Sequence, residues 1–246
     1  MIPRSATGAE LLVNGDFEAG LAGWTVTDLL GGSGSWFSSA AAPTPLSGFA
    51  TVGPSAGLLY AVTDQTGPGT HSLTQSFLVP AGSTAVVLSF DMFVNDQSGE
   101  GPIIDPAGLD HAAGFPNQHA RVDLLTGVAG AFDTGGGVVA NFYLGVDAGA
   151  NPHLYTAYVF DISALVVPGG TYQIRFAEVD TQFFFHQGVD NVSVVASGIP
   201  EPSTGVLFLS GLAGAVAVAR LRSRGLSRAR NCDSFPPWHF SLGVNS

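Results

Sequence analysis

The feature that most constrains the fold is a succession of short apolar runs, separated by turn residues, that extends from Leu11 to Val195. The runs are rich in Val, Phe, Tyr and Thr, and several alternate apolar and polar residues, as in 172–176. Clusters of Gly and Pro, such as 80–82 and 168–170, lie between them. A period of two is typical of half-buried strands, and many short strands joined by turns are typical of sandwiches. The sequence therefore predicts an all-β fold, an antiparallel and jelly-roll-like β-sandwich.

The pattern predicts nine strands, and no long window before residue 200 has a helical period. A single helical turn is expected at 161–165, capped by Asp161 or Ser163. The predicted strands are 49–53, 58–63, 71–79, 85–94, 120–125, 138–144, 154–162, 172–179 and 189–195.

Charge is distributed unevenly along the chain. Residues 1–199 contain three Arg and no Lys against seventeen Asp and Glu, a net charge of −14, whereas residues 200–246 have a net charge of +3. An acidic body repels phosphate backbones, which excludes nucleic acid as a partner of the main domain. The single cysteine, Cys232, excludes a disulfide framework and a thiolate-rich metal site.

The composition changes near residue 199. Fifteen uncharged residues, 205–219, are followed by a cluster of arginines that begins at Arg220. With the two preceding residues the uncharged span reaches about the lower length limit for crossing a bilayer, and flanking arginines favour the cytoplasmic side. We expect a transmembrane helix at 205–219; a buried core helix is the alternative.

The C-terminal pattern has three parts in a fixed order. Pro200, Glu201 and Pro202 precede the apolar segment, and Arg220, Arg222 and Arg224 follow it. This order resembles the Pro-Glu-Pro (PEP-CTERM) sorting signal of exosortase substrates. The resemblance implies secretion, temporary anchoring in the inner membrane by residues 205–219, and cleavage near Pro200–Pro202 by an exosortase. Two prolines also keep the segment extended, as entry into a protease cleft requires.

Two motifs lie near the beginning and near the end of the sequence that forms the predicted sandwich. One is 11–18 (Leu-Leu-Val-Asn-Gly-Asp-Phe-Glu), followed by Gly23 and Trp24, and the other is 188–194. Together they resemble the jelly-roll modules of carbohydrate-binding families 4 and 9 and the wider galactose-binding-like fold. The resemblance implies adjacent first and last strands and a structural Ca²⁺ held by Glu18 and Asp190, consistent with the preference of Ca²⁺ for oxygen ligands. The alternative is that both carboxylates only cap turns.

Several aromatic residues are candidates for contact with sugar rings. In the resembled modules the Trp of the Gly-Trp pair is core, so we assign Trp24 to the core. Trp36 follows a Gly/Ser-rich turn and is either core or part of a ligand platform. The last predicted strand is preceded by Phe183, Phe184 and Phe185. Because successive side chains of an extended segment point to opposite faces, packing against one face cannot bury all three. At least one is therefore expected to be exposed, as a ligand platform or as a lid over the end of the sandwich.

The sequence contains no zinc-protease helix motif, nucleophile elbow, phosphate-binding loop or dinucleotide fingerprint. We therefore predict a non-enzymatic protein of the cell surface or extracellular matrix, with a β-sandwich that binds a glycan or exopolysaccharide. The alternative is a structural matrix or biofilm protein without a discrete ligand site. The predicted domains are 1–9, an export-signal remnant or a disordered start; 10–197, the sandwich; 198–224, the sorting signal; and 225–246, a basic tail.

Overall fold

In a computed structural model of the chain, residues 8–104, 108–113 and 116–198 are described and form two antiparallel sheets. The strands are β1 (Ala9–Glu10), β2 (Thr25–Asp28), β3 (Ser35–Ser39), β4 (Tyr60–Asp64), β5 (Gly69–Leu78), β6 (Ala85–Asp96), β7 (His119–Thr126), β8 (Val138–Gly145), β9 (Thr156–Asp161), β10 (Thr171–Asp180) and β11 (Phe185–Ser197).

Sheet A has the order β3-β4-β11-β6-β9, and β1 also pairs with β11. Sheet B has the order β2-β5-β10-β7-β8. The predicted all-β antiparallel sandwich is confirmed. The first and last strands are adjacent, because Ala9 pairs with Ala196 and Glu10 with Val195.

Eight of the nine predicted strands coincide with observed strands, and the exception is 49–53. Those residues belong to a connection, 40–59, in which the Thr51 hydroxyl donates to the Ala42 carbonyl at 2.7 Å and also contacts the Tyr60 hydroxyl. The connection thus satisfies its polar groups through local backbone and side-chain hydrogen bonds instead of a strand ladder. The short strands β1, β2 and β3 were not predicted, because two to five residues carry too little alternation to be recognised.

The last strand begins earlier than predicted. It starts at Phe185 instead of residue 189, and Phe185, His186 and Gln187 pair with β6. Residues 185–187, which lie before the predicted start of the last strand, therefore belong to it. The turn expected near 161–165 is present, and the Asp161 carboxylate caps it by accepting the Ser163 amide at 2.9 Å.

Within the described ranges, no helix is long and apolar enough to span a membrane. The predicted helix at 205–219 lies outside those ranges, as do residues 1–7 of the predicted segment 1–9, residues 199–224 of the predicted sorting signal 198–224, and the tail.

The space between the sheets has two ends of different chemistry. In β10, Ile174 and Phe176 face the main apolar core, and the period of two places Glu178 and Asp180 on the same inward face. Strands β5 and β6 repeat this change from apolar to polar, with His71 beyond Leu73 and Asp96 beyond Val94. We call the region around Phe176 the apolar end and the region around Glu178 and Asp180 the polar end.

Candidate ligand-binding site

The polar end is formed where several strands each direct a polar side chain inward. On the inward face of β6, Asp96 follows the core residues Met92 and Val94. On the inward face of β11, Gln187 lies between core residues. His71 of β5 is directly opposite Glu178 in the register. The inward polar residues of this end, all at most 9 % exposed, are Gln65, His71, Asp96, Glu178, Asp180 and Gln187.

A four-residue loop, 181–184, joins β10 of sheet B to β11 of sheet A at the polar end. Phe183 in this loop is 50 % exposed, Phe184 is half-buried, and Phe185 is fully buried at the start of β11. The expectation that at least one of the three aromatics is exposed is thus met by Phe183.

Phe183 belongs to a cluster of three rings. Its ring centroid lies 4.9 Å from that of Phe184 and 6.1 Å from that of Phe49, and the Phe49 and Phe184 centroids are 4.7 Å apart. Edge-to-face and tilted contacts at these separations are favourable and restrict the orientation of each ring. The exposed half of Phe183 is therefore presented from a packed base.

Two depressions lie beside Phe183. The first, of about 240 Å³, is lined by Thr66, Gly67, Pro68, Asp180, Thr181, Gln182, Phe183 and Phe184. The second, of about 390 Å³, is lined by Gln97, Ser98, Glu100, Gln182 and Phe183. They share Gln182 and Phe183, so one exposed ring and one amide border both. We call this continuous surface the Phe183 groove.

The loop that carries Phe183 is held by hydrogen bonds at both ends. The Thr181 hydroxyl accepts the Asn117 amide at 2.7 Å and donates to the Asn117 carbonyl at 2.8 Å. The Gln182 amide donates to the Gln118 side chain at 2.8 Å, and the Phe184 carbonyl accepts the Gln97 amide at 3.0 Å. These bonds pre-organise the groove, which lowers the entropic cost of binding a ligand.

The carboxylates of the polar end have strongly perturbed acidities. Burial raises the pKa of Asp180 to about 7; the hydrogen bond from Gln65 opposes this shift, and the nearby charge of Asp96 adds to it. Burial raises the pKa of Glu178 well above its ordinary value, and Asp180 and Asp28 add to that shift. The groove therefore has a wall group, Asp180, that changes its charge near neutral pH.

The structure removes Trp36 from the candidate ligand platform. Trp36 is 3 % exposed and belongs to the main core, because its place in β3 directs the indole between the sheets. The assignment of Trp24 to the core is confirmed: it is 8 % exposed, its indole N–H donates to the Asn14 carbonyl at 3.0 Å, and its ring packs on Phe17 and Phe176.

Glu18 and Asp190 both bind the 40–59 connection. Oε1 of Glu18 accepts the amides of Leu58 and Leu59 at 2.7 and 3.0 Å. Oδ2 of Asp190 accepts the amides of Ser55 and Ala56 at 2.9 and 3.0 Å. Within the described ranges, no group of three or more His, Cys, Asp or Glu side chains is placed to hold a metal ion. Calcium at Glu18 and Asp190 stays a prediction.

A Ser, His and Asp triplet occurs on the other face of β11, where sequence reasoning did not look for one. The Ser47 hydroxyl lies 3.1 Å from Nε2 of His186, and Oδ1 of Asp64 lies 3.3 Å from the same nitrogen. A nucleophile–base–acid relay needs the serine and the carboxylate on different ring nitrogens. This triplet therefore lacks relay geometry and instead anchors the 40–59 connection.

The sequence pointed to Phe183 and Phe184 but missed Asp180, Gln182 and Phe49. Asp180 is three residues before an aromatic triplet, and a carboxylate at a strand end close to aromatics was the available signal. Phe49 is distant in sequence and only the tertiary structure brings it to the cluster. The predicted sorting residues Pro200, Glu201, Pro202, Arg220, Arg222 and Arg224 lie outside the described residues.

No protein-family model and no curated protein sequence matches the chain. Among solved structures, the chain is similar to TmCBM61 in complex with β-1,4-galactotriose (TM-score 0.46, 13 % identity, 76 % of this chain and 97 % of that one). It is also similar to a family 11 carbohydrate-binding module from Clostridium thermocellum (0.41, 15 %, 80 % and 100 %) and to a cyclase from Fischerella sp. TAU (0.47, 13 %, 79 % and 100 %). Because all three TM-scores are below 0.5, the functions of these proteins do not transfer to this chain.

Proposed function

We propose that this protein binds a glycan in the Phe183 groove. The observation that carries the proposal is the half-exposed ring of Phe183, held on a packed aromatic base between two depressions with polar walls. A sugar has an apolar C–H face and a rim of hydroxyl groups. An exposed aromatic ring suits the first, and amide, hydroxyl and carboxylate groups suit the second.

The polar lining of the groove supports a ligand with many hydroxyl groups. Gln97 and Gln182 supply donors and acceptors, and Asp180 and Glu100 supply acceptors. Ligand sites with a few placed polar groups around an apolar contact obtain their specificity from those groups. The shared position of Gln182 allows two successive sugar units to lie on either side of Phe183.

The proposal is tested by calorimetric titration of the purified full-length protein with the host's own exopolysaccharide and its oligosaccharides. We expect Phe183→Ala to weaken saturable binding by about tenfold or more, since losing one buried aromatic contact removes more than about 1.4 kcal/mol. Leu154→Ala is the matched control, because Leu154 is 77 % exposed and lies outside the groove lining. Equal affinities of wild type, Phe183→Ala and Leu154→Ala would overturn the proposal.

We further propose that the groove binds its ligand without chemical conversion. In the triplet of Ser47, His186 and Asp64, the serine and the carboxylate contact the same ring nitrogen of His186. A time course of the same oligosaccharides by mass spectrometry should show no product formed by the protein. Turnover that is lost with Asp180→Asn would assign an enzymatic role to the groove.

Export and sorting are also proposed, on the pattern formed by Pro200–Pro202, the uncharged segment 205–219 and the arginines that follow it. Protein recovered from the surface or matrix of the host should then lack residues 205–246 by mass spectrometry. Recovery of the tail on the mature protein would overturn the sorting proposal and leave the glycan proposal untouched.

One observation favours the second candidate function, a structural matrix protein. β9 is an edge strand of sheet A, and Val159 in its centre is 69 % exposed. Residues 156–160 carry no charge, and uncharged, apolar edge strands pair readily with other chains. This function predicts concentration-dependent self-association in analytical ultracentrifugation that Val159→Lys reduces. A protein that stays monomeric at all concentrations would rule out this second candidate function.

A further inference from the structure

We infer that the Phe183 groove selects a cationic glycan, an amino-sugar oligomer with free ammonium groups, over its neutral or acidic counterparts. The inference rests on the proposed glycan-binding function and names the ligand class for the same site. Its basis is the charge of the groove walls, the buried acceptors behind them and the lack of a neutralising cation.

The charged groups in the walls of the groove are all acidic. Asp180 lines the depression of about 240 Å³, and Glu100 lines the depression of about 390 Å³. Of the described residues that line either depression, none is basic. The acidic walls disfavour a uronate or sulfated sugar and favour a cation.

Behind Asp180 lies a group of buried oxygens without hydrogen-bond donors. Gln65, fully buried, donates to Oδ2 of Asp180 at 2.6 Å, and its own Oε1 accepts no hydrogen bond in the described structure. The same holds for Oδ2 of Asp96 and for both carboxyl oxygens of Glu178. Buried acceptors without donors are costly, and these oxygens make the surroundings of Asp180 rich in acceptors and poor in donors.

The two arginines of the described residues are committed to another carboxylate, because Arg121 and Arg175 both donate to Asp123, at 2.7 and 2.6 Å. The ring nitrogens of His71 face the Asp28 carboxylate at 2.7 Å and the Ser33 carbonyl at 2.9 Å, and the Glu178 carboxylate is 3.8 Å from the ring. None of these three side chains forms an ion pair with Asp180.

An ammonium group on a sugar meets these requirements better than a metal ion or a hydroxyl group. It supplies three donors and one positive charge to Asp180 while the sugar face packs on Phe183. A metal ion would need several protein ligands, and no such group of side chains occurs in the described residues. The geometry therefore combines an ammonium contact with a ring contact.

The test compares three tetrasaccharides by calorimetric titration of the full-length protein near neutral pH: the β-1,4-linked glucosamine tetramer, its N-acetylated form and a tetragalacturonate. We expect the glucosamine tetramer to bind about tenfold or more tightly than the N-acetylated form, and the uronate to bind weakest. Asp180→Asn should reduce the preference for the amine to about twofold or less. Glu100→Gln serves as a second variant with a smaller expected reduction. Because the Glu100 side chain is exposed, this variant keeps the test valid if Asp180→Asn unfolds the protein.

The outcomes separate the inference from the proposed function. Equal binding of the amine and the N-acetylated tetramer, both weakened by Phe183→Ala, would overturn the inference and retain the glycan site. If the wild type binds neither the probes nor the host polysaccharide, and Phe183→Ala gives the same result, the proposed function is overturned. Displacement of the glucosamine tetramer by tetralysine at equal concentration would show recognition of ammonium groups regardless of the carrier and would overturn the assignment to a glycan.

Discussion

The two ends of the sandwich interior are built from the same strands but from different side chains. At the apolar end, Phe176 packs on Trp24 and Phe90 at centroid distances of 6.1 and 5.2 Å. At the polar end, two and four residues further along β10, Glu178 and Asp180 occupy the same inward face with raised pKa values. Burial stabilises the first set and destabilises the ionised form of the second.

This difference indicates a division of roles. Buried carboxylates that lack donors cost stability, and such costs are usually found at functional sites. The polar end also carries the exposed Phe183 and the groove. The apolar packing therefore stabilises the domain, whereas the polar end, where the proposed binding groove lies, costs part of that stability.

The largest expected effect tests the apolar end. Phe176→Ala removes a fully buried ring and leaves a cavity, so we expect the free energy of unfolding to fall by about 3–5 kcal/mol. Chemical denaturation monitored by fluorescence measures it. Loss of less than about 1 kcal/mol would show that the aromatic contacts of this end do not dominate stability.

The second prediction concerns pH. The folded state raises the pKa of Asp180 to about 7, so it binds a proton that the unfolded chain has released, and stability is lost as pH rises from about 4 to about 7. The expected loss is about 2–4 kcal/mol. Asp180→Asn should reduce the slope of the profile in this window, and Glu178, whose pKa is also raised by burial, contributes the slope that remains.

Asp64, which lies outside the polar interior, has a lowered pKa, so its effect on stability has the opposite pH dependence. Burial raises its pKa, but hydrogen bonds from His186, Ser47 and the Leu46 amide outweigh that effect and lower the pKa to about 2. Its stabilising contribution is present above about pH 4 and is lost as pH falls towards 2. Thermal unfolding across this pH range should therefore place the maximum stability near pH 4. A wild-type profile that rises from pH 4 to pH 7 would contradict the assignment to Asp180.

The third prediction concerns Asp190, a carboxylate that accepts several hydrogen bonds, in contrast to the carboxyl oxygens of the polar end that accept none. Asp190→Ala leaves the amides of Ser55, Ala56 and Asn191 without their acceptor, and we expect a loss of about 1–3 kcal/mol. If calcium is bound at Glu18 and Asp190, a chelator lowers the Tm of the wild type but not that of the double alanine variant. An unchanged wild-type Tm would show that the amide hydrogen bonds act without an ion.

The smallest expected effect is that of the groove ring on stability. Because Phe183 is 50 % exposed, Phe183→Ala should change the free energy of unfolding by less than about 1 kcal/mol, although it weakens binding. Chemical denaturation of Phe183→Ala and Phe176→Ala under the same conditions compares the contributions of the two ends to stability. A loss as large as that of Phe176→Ala would mean that Phe183 is a lid needed for folding.

Much of the strand content could be predicted from the sequence because it depends on local alternation. The runs at 85–94 and 172–179 alternate strongly and coincide with β6 and β10. The run 49–53 was misassigned because its polar groups are satisfied by Ala42 and Tyr60, contacts that no local pattern encodes. Trp36 was left undecided because alternation does not say which face of β3 is covered.

The sequence by itself determined the all-β class, most strand positions, the acidic body and the presence of an exposed aromatic among 183–185, since each follows from neighbouring residues. Only the tertiary structure decided that Phe49 joins Phe183, that Gln65 meets Asp180 and that Arg121 and Arg175 are both committed to Asp123. The physical reason is that these contacts depend on which strands are neighbours and in which register. That choice is made by packing over the whole sandwich, and it sets the burial and charge on which the groove depends.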